Sequence, residues 1–174
     1  MDLSKATKIA IIGNSGAGKS TLSTELGNAL NIEVCTIDKI YWLAGWKLRD
    51  QKSFRVRHNK WLEKNAWIID GIGYWEELEQ RLSQADVIIF LDVPIERCKS
   101  RAEIRIREET LSPNKNIAPG CVYNNVKELQ MEAIVNFHKT IRPKLISHLS
   151  NLSSDKFIII NDPMELKYDS KINI

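Results

Sequence analysis

Short apolar runs and amphipathic stretches alternate along most of the chain. The apolar runs predict five strands, at Lys8 to Ile12, Glu33 to Ile37, Ala66 to Ile69, Asp86 to Leu91 and Phe157 to Ile160. Runs this short and this continuously apolar are typical of strands buried on both faces of a parallel sheet. Because helical patterns separate them, the sequence predicts an α/β fold with helices on both faces of the sheet.

The helical patterns fill the gaps between the strands. They cover Lys19 to Leu30, Glu76 to Leu82, a helix opened by Pro94 that ends near Arg107, and a long helix from about Val122 to Leu149. Two irregular regions remain, a mostly helical insert at about 38–65 and a polar loop at about 108–122. Both lie at the edge where open α/β sheets bind ligands. No repeat or linker divides residues 1–174, so a single domain is predicted.

The turn after the first strand satisfies GxxxxGK[ST], the phosphate-loop or Walker A pattern, in full. Its residues are Gly13, Asn14, Ser15, Gly16, Ala17, Gly18, Lys19, Ser20 and Thr21. The glycines let backbone N–H groups point at phosphate oxygens, Lys19 supplies a positive charge, and Ser20 offers a hydroxyl to magnesium. The helix that follows adds its positive end to the same site. The sequence therefore predicts a nucleoside triphosphate site.

The rest of the sequence narrows the reaction that this nucleotide site could support. A GTPase normally carries an Asn-Lys-x-Asp element after a late strand, and neither Asn59-Lys60 nor Asn114-Lys115 is followed by that aspartate. Motor and transporter ATPases are usually larger and act through partner domains. A chain of 174 residues has room for one nucleotide and one modest acceptor, which favours phosphoryl transfer to a small molecule.

Composition excludes some partners and leaves others open. The net charge of +3 is too small to indicate nucleic-acid binding, and no helix-turn-helix, zinc finger or dense basic stripe is present, so direct nucleic-acid binding is not predicted. Cys35, Cys98 and Cys121 lack metal-type spacing and are predicted to be free thiols in a reducing cytosol. No apolar run approaches the roughly 18 residues that cross a bilayer. A cytoplasmic protein with no membrane partner is expected, and its oligomeric state is not predicted.

Two acids follow predicted strands at the ligand edge of the sheet. Asp70 ends the run Trp67-Ile68-Ile69, where it could hold magnesium beside the phosphate loop or merely cap the next helix. Asp38 follows the second strand, where an acid can accept the acceptor's proton or help hold magnesium. We expect both acids to serve the site, because a lone acid at a strand's ligand end is a poor core residue.

Aromatic residues crowd the segment after Asp38. Tyr41, Trp42 and Trp46 could form a stacking wall for a flat acceptor, or they could be core. At least one of the two tryptophans is expected to be core, because clustered tryptophans usually bury area.

Arginines recur at spacings of four on the helix opened by Pro94. Arg97, Arg101 and Arg105 therefore share one face, while Cys98, Ala102 and Ile106 form the stripe expected to face the core. Guanidinium groups bind phosphate oxygens with paired hydrogen bonds, so this face suits a clamp on the transferred group. Arg101 and Arg105, nearer the polar loop, are predicted to be functional. A solvated face is the interpretation favoured for Arg97.

A polar turn follows the last strand. Asn161, Asp162 and Pro163 would lie near the base of a nucleotide bound at the phosphate loop, where their backbone could contact adenine. A simple strand-to-helix turn is an equally good interpretation of these three residues.

These features form an ordered series: GNSGAGKST, IDKIYWLAGW, WIIDG, ADVIIFLDVP and IRPKL. The series, from about Ile9 to Leu145, resembles the adenylate-kinase-related proteins often labelled DNA topology modulation proteins, within the P-loop nucleoside and nucleotide kinase superfamily. The resemblance implies a three-layer P-loop NTPase fold with sheet order 2-3-1-4-5, an acceptor-binding insert at 38–65 and a short mobile lid at 108–122. It further implies that the phosphate loop binds ATP, that Asp70 matches the acid ending the third strand, and that Asn161 to Pro163 match the adenine-side loop.

The same resemblance implies that Arg101 and Arg105 match the arginine pair that opens the lid. One departure stands out, because adenylate kinases follow this Asp-Gly with Phe-Pro-Arg and here Ile72-Gly73-Tyr74 follows. The arginine that would grip a nucleoside monophosphate is therefore missing at that place. Substitutes would have to come from Arg81, or from Arg55 and Arg57 in the insert.

Two functions remain open on this evidence. The leading hypothesis is an ATP- and Mg²⁺-dependent kinase that phosphorylates a nucleotide, nucleoside or similar small molecule. In it, Lys19, Asp38, Arg101 and Arg105 are catalytic, and Ser20 and Asp70 hold the metal. The alternative is an ATP-binding regulatory protein with little or no kinase activity, which acts through a protein or DNA partner.

Overall fold

A five-stranded parallel sheet forms the centre of the computed structural model, which describes residues 3–109 and 116–162. Its strands are β1 (Lys8–Gly13), β2 (Val34–Thr36), β5 (Trp67–Asp70), β6 (Val87–Leu91) and β7 (Phe157–Ile160). A separate hairpin consists of β3 (Trp42–Leu43) and β4 (Lys47–Leu48). The sheet order is β2-β5-β1-β6-β7, so the central strand β1 carries the phosphate loop at its carboxyl end.

The predicted fold class is confirmed by this arrangement. Counted among the parallel strands alone, the order is second, third, first, fourth and fifth. The numbering in full chain order differs from the predicted one because two hairpin strands, which were not predicted, intervene between β2 and β5. The register also sets the site, since Ile11 of β1 pairs with Asp70 of β5, and Thr36 of β2 pairs with the same residue. Asp70 therefore reaches the ligand edge next to the loop that follows Gly13.

Helices cover both faces of the sheet. They are α1 (Lys19–Leu30), α2 (Ile37–Tyr41), α3 (Gln51–Leu62), α4 (Trp75–Gln84), α5 (Ile95–Glu108), α6 (Lys127–Asn136) and α7 (Arg142–Ser150). Alternate residues of β1 point to opposite faces, so Ile9 and Ile11 pack into one buried cluster while Ala10 and Ile12 pack into the other. In the first cluster lie residues of α1, α5 and α6, and in the second residues of α3, α4 and α7.

The prediction of one continuous helix from Val122 to Leu149 is wrong, because the segment is interrupted. Val122 has extended backbone, a 3₁₀ turn covers Tyr123–Val126, and a π-helical turn at Phe137–Ile141 separates α6 from α7. Pro143 lies in the first turn of α7. A proline inside a helix removes one backbone donor and clashes with the carbonyl four residues earlier, so the wider π turn accommodates it.

The insert at 38–65 is mostly helical, as predicted, but it also contains a hairpin that was not predicted. It holds most of α2, the β3–β4 hairpin and all of α3. Gly45, with φ +72°, and Trp46, with φ +58°, make the hairpin turn, and glycine adopts such angles without steric cost. Of the predicted lid, residues 110–115 lie outside the described residues, and 117–121 pack against the hairpin. No helix within the described ranges is long and apolar enough to span a bilayer.

Candidate functional site

The phosphate loop turns tightly over the backbone of α5. Gly16 has φ +78°, and a Cβ added there would lie 2.3 Å from the Cys98 carbonyl oxygen, so only glycine fits. The buried side chain of Asn14 fixes the loop from the other side. Its Nδ2 donates to the Ile134 carbonyl at 2.9 Å, and its Oδ1 accepts from the Ser15 N–H at 2.8 Å. The loop is thus preorganised by α5 and α6 together.

The loop leads directly into the first turn of α1. Gly18 is the N-cap of that helix, and no side chain caps it, so the first-turn N–H groups face the cavity as an anion site. The Nζ of Lys19 donates to the Asn14 carbonyl at 2.8 Å. Burial lowers the pKa of Lys19, while the carboxylates of Asp38 and Asp70 oppose that shift. With its phosphate loop between a central parallel strand and a helix, the chain has the P-loop NTPase fold.

Asp70 is almost completely buried beside the loop, at 1% exposure. Its Oδ2 accepts hydrogen bonds from the Ser23 hydroxyl at 2.7 Å and from the Thr36 hydroxyl at 3.3 Å. Burial raises the pKa of Asp70, and the Ser23 hydrogen bond and the charge of Lys19 counter that effect. The helix-cap interpretation of Asp70 is wrong, because Tyr74 is the N-cap of the next helix.

Two of the three spaced arginines enter the cavity. The Nη1 of Arg101 donates to the Ala17 carbonyl at 3.4 Å, and the Nη2 of Arg105 donates to the Ser15 hydroxyl at 3.0 Å. The Arg105 guanidinium also lies 4.2 Å from the centroid of the Tyr123 ring. Arg97 instead forms an ion pair with Asp162 away from the cavity. On this face of α5, Arg101 and Arg105 therefore point into the site, while Arg97 forms an ordinary surface ion pair.

Asp38 lies across the cavity from the loop, in the first turn of α2. Burial raises the pKa of this carboxyl, whereas Lys19, Arg105 and a hydrogen bond with the Trp42 side chain lower it. Tyr41 and Trp42 line the cavity beside it. A carboxylate that is half-buried and faces two cations can remain ionised while being more basic than a surface aspartate.

The aromatic residues of the insert form a chain of ring contacts. The Trp42 ring centroid lies 5.0 Å from that of Tyr41 and 5.4 Å from that of Trp46, and Trp46 lies 4.8 Å from Tyr123. Both tryptophans are half-buried and pack against a small cluster at residues 117–123 and Ile106. Neither is a buried member of a hydrophobic cluster, so the expectation that at least one of these tryptophans is core is wrong.

One cavity of about 580 Å³ unites these groups. The site residues that line it are Gly13, Asn14, Ser15, Gly16, Gly18, Lys19, Ser20, Thr21, Asp38, Asp70, Arg101 and Arg105. Ala17 is buried beneath the loop and does not line the cavity, and neither do Asn161 and Asp162. Pro163 lies outside the described residues. Adenine contact by 161–163 therefore stays a prediction.

The proposed substitutes for the missing arginine do not line this cavity. Arg81 is completely buried, and its Nη2 donates to the carbonyls of Gly71 and Ile72 at 2.5 and 3.3 Å. Burial lowers the pKa of Arg81 to about 10. Arg55 pairs with the Glu77 carboxylate at 2.6 Å on the α3–α4 side. Arg81 thus holds the loop after Asp70 in place from behind, and does not offer a charge to a ligand.

Several cavity residues were not predicted. Asn116, Ile117, Tyr123, Asn136, Phe137 and Ile141 line it, all contributed by the segments after α5. No motif marks them, because their position depends on how the 3₁₀ turn and α6 pack over the phosphate loop. A hairpin signal was present, however, in the glycine that interrupts the apolar run Trp42 to Trp46.

Comparisons with known proteins add little to this geometry. No protein-family model and no curated protein sequence matches the chain. Shikimate kinase from Acinetobacter baumannii in complex with shikimate is 19% identical, with 87% of this chain and 98% of that chain covered and a TM-score of 0.46. Shikimate kinase from Bacteroides thetaiotaomicron is 18% identical, with 77% of this chain and 81% of that chain covered and a TM-score of 0.49. Likeness at this level is not evidence of a shared substrate.

Proposed function

We propose that the protein is a kinase that transfers the γ-phosphoryl group of ATP to a hydroxyl group of a small molecule. One observation carries the proposal: a single cavity holds a complete phosphate loop, two arginines and, on the opposite wall, a carboxylate. Donor-binding groups and a carboxylate that can accept a proton thus share a space of about 580 Å³. Sites for phosphoryl transfer need this combination of positioning and charge.

The cations of the site are held by bonds that a phosphate can replace. Lys19 donates to a loop carbonyl, Arg101 to another carbonyl at the long distance of 3.4 Å, and Arg105 to a neutral hydroxyl. Each of these bonds joins a cation to a neutral acceptor, whereas a phosphate oxygen carries negative charge and can accept paired hydrogen bonds from a guanidinium group. Phosphate oxygens would therefore draw these three side chains inward, where they neutralise the charge that develops on the transferred group.

Asp38 is assigned the role of general base, which accepts the proton of the acceptor's hydroxyl group. The acceptor's hydroxyl oxygen forms a bond to the γ-phosphorus, the bond from that phosphorus to the β–γ bridging oxygen breaks, and its electron pair leaves with ADP. The hydroxyl proton passes to the Asp38 carboxylate. Since burial raises the pKa of this group, it accepts a proton more readily than a solvated aspartate.

Ser20 and Asp70 fit a magnesium ion that accompanies the nucleotide. Both line the cavity, and hydroxyl and carboxylate oxygens are the hard ligands that Mg²⁺ prefers. Among the described residues no group of three or more His, Cys, Asp and Glu side chains could hold a metal. This suits Mg²⁺, which keeps several waters and binds through one or two protein ligands plus phosphates. When bound, the ion would neutralise phosphate charge.

The test is an ATP-consumption screen over nucleosides, nucleoside monophosphates and small alcohols. At least one acceptor should raise turnover above the rate with water alone, and Lys19→Ala should lower that turnover by about a hundredfold or more. Lys52→Ala, an exposed lysine on α3, is the matched control. The kinase assignment fails if no acceptor raises turnover and Lys19→Ala leaves the background rate unchanged.

A second candidate is an ATP-binding regulator that acts through a protein or DNA partner. The absence of a cation at Ile72-Gly73-Tyr74 supports it, because the position that grips a monophosphate in adenylate kinases is neutral. A salt titration of DNA binding tests whether this candidate acts through direct contact with DNA. Direct contact with the phosphate backbone requires affinity that falls steeply as salt rises.

A further inference from the structure

A second, smaller cavity of about 290 Å³ opens beside Asp38. Its walls include Asp38, Trp42, Trp46, Tyr123, Leu129 and Gln130. Asp38, Trp42 and Tyr123 line the larger cavity as well, so the two spaces adjoin at the carboxylate assigned to the acceptor's proton. We call this space the side cavity. A molecule that occupies it can present a hydroxyl group at Asp38.

The side cavity has no positive charge in its wall. Its lining residues, all of them described, are aromatic, aliphatic or neutral and polar, with Asp38 as the one ionisable carboxylate. An anionic group placed here would lose its hydration without gaining a cationic partner, which is costly. Arg101 and Arg105 line the larger cavity only. The charge distribution therefore separates a phosphate-binding space with cations in its wall from a side cavity whose one charged lining residue is the acid Asp38.

Gln130 supplies an unused acceptor in this wall. The residue is only 8% exposed, and its Nε2 donates weakly to the Ser15 hydroxyl at 3.4 Å. Its Oε1 is buried and has no hydrogen-bond partner. Because this oxygen has almost no accessible surface, a ligand's N–H or O–H group pairs with it only once the Gln130 side chain turns toward the side cavity, and that pairing recovers the cost of an unpaired buried acceptor.

We propose that the side cavity binds the planar body of an uncharged acceptor alcohol, whose hydroxyl group lies at Asp38 and whose ring donor bonds to Gln130. The inference rests on the proposed kinase function and narrows its substrate class to uncharged ring-bearing alcohols, to the exclusion of nucleoside monophosphates. The size agrees, because an engineered cavity of about 150 Å³ binds benzene. A space of about 290 Å³ therefore accepts one or two fused rings.

The decisive experiment measures binding by calorimetry with the donor site filled by a non-hydrolysable ATP analogue and Mg²⁺. Three probe pairs are compared: adenosine with AMP, uridine with UMP, and benzyl alcohol with benzyl phosphate. In at least one pair the uncharged member should bind about tenfold more tightly than its phosphate. A preference in one of the first two pairs identifies the acceptor as a nucleoside, and a preference in the third pair alone identifies it as a simple aryl alcohol.

Two variants link this preference to the side cavity. Gln130→Met keeps the volume but removes the acceptor, so a nucleoside with a ring donor should bind about fivefold more weakly while benzyl alcohol is unaffected. Leu129→Arg adds a cation at a residue that is 64% exposed, and should shift each pair toward its phosphate by about tenfold. Gln80→Met and Val56→Arg, both exposed and outside the cavity, are the matched controls.

The outcomes distinguish this inference from the function on which it rests. If the ATP analogue binds but the phosphate member of every pair binds as tightly as its partner, the uncharged acceptor is excluded and the kinase assignment stands. The same holds if Gln130→Met and Leu129→Arg change binding no more than their controls do. If the ATP analogue itself does not bind, the kinase assignment fails and this inference fails with it.

Discussion

The two walls of the cavity are built by different means. The donor wall is made of backbone: a buried strand, a loop packed against α5 through Gly16, and the uncapped start of α1. The acceptor wall is made of contacts between two short segments far apart in sequence. There the Gly45 N–H donates to the Gly120 carbonyl at 3.0 Å, and the Trp46 Nε1 donates to the Val122 carbonyl at 2.9 Å. We call these two bonds the hairpin latch.

This difference corresponds to what each wall would recognise. Backbone N–H groups at a helix start bind the phosphate that every nucleoside triphosphate carries, so the donor wall has little to adjust. Side chains on a hairpin and a loop can change without disturbing the sheet, so the acceptor wall can be adapted to one substrate. A backbone-built wall should therefore be sensitive to added bulk, and a side-chain-built wall to the loss of single contacts.

Arg105 joins the two walls, and its removal should have the largest effect. It donates to Ser15 on the donor wall and stacks on Tyr123 on the acceptor wall. Arg105→Ala should lower kcat by about a thousandfold, roughly 4 kcal/mol of barrier, because a cation on the transferred phosphate is lost. Arg97→Ala, on the same helix but paired with Asp162, should leave kcat within a factor of about two. Equal losses in both variants would contradict a site role for Arg105.

The donor wall could be predicted from the sequence almost completely. The phosphate loop is a local pattern, and Asp70 follows an apolar strand whose carboxyl end must lie beside that loop at one edge of a parallel sheet; the same argument placed Asp38 of the opposite wall at this edge. Arg101 and Arg105 followed from helical spacing. Each of these inferences needs only the order of elements along the chain, so no long-range contact had to be known.

The acceptor wall could not be predicted in the same way. The hairpin is only two residues long in each strand, and its turn places Trp46 at φ +58°, an angle that no local propensity favours for tryptophan. Tyr123 and Gln130 reach the site because a 3₁₀ turn and α6 pack over the phosphate loop. The break between α6 and α7 depends on Pro143, whose cost is accommodated by a π turn and not by ending the helix. Tertiary packing decides all three.

The support behind the acceptor wall should be the acid-sensitive part of the fold. His58 on α3 is completely buried against Phe54, and burial together with the charge of Arg81 lowers its pKa to about 4, with Glu77 opposing. His58 binds a proton below about pH 6.5 in the unfolded chain, but only below about pH 4 in the folded chain. Acidification from pH 6.5 to 4 should therefore lower the free energy of unfolding by up to about 3 kcal/mol.

Urea unfolding at a series of pH values tests this. His58→Leu keeps the apolar volume and removes the titrating group, so the stability of the variant should fall less between pH 6.5 and 4 than that of the wild type. A slope unchanged by His58→Leu would show that His58 is not the source of the acid sensitivity.

Two glycines with nearly equal φ angles make it possible to measure the steric clash of an added Cβ separately from backbone strain. Gly16 has φ +78° and Gly45 has φ +72°, but an added Cβ meets the Cys98 carbonyl oxygen at Gly16 and nothing within 4 Å at Gly45. Gly45→Ala should cost about 1 kcal/mol of unfolding free energy through its angle alone. Gly16→Ala should cost about 2 kcal/mol more, because the loop must move off α5. Denaturant titration of both variants is the measurement, and similar losses would remove the steric distinction between the walls.

The hairpin latch should give the smallest effect and the most selective one. Trp46→Phe keeps a ring against Tyr123 but removes the indole N–H that donates to the Val122 carbonyl, which should cost about 1 kcal/mol of stability. Because the loop around Lys19 does not contact this bond, affinity for an ATP analogue should be unchanged while KM for the acceptor rises severalfold. Trp75→Phe, on α4 outside the cavity, should change neither constant. A matched loss of ATP affinity in Trp46→Phe would mean that the two walls are coupled and that the donor side is not independent of the latch.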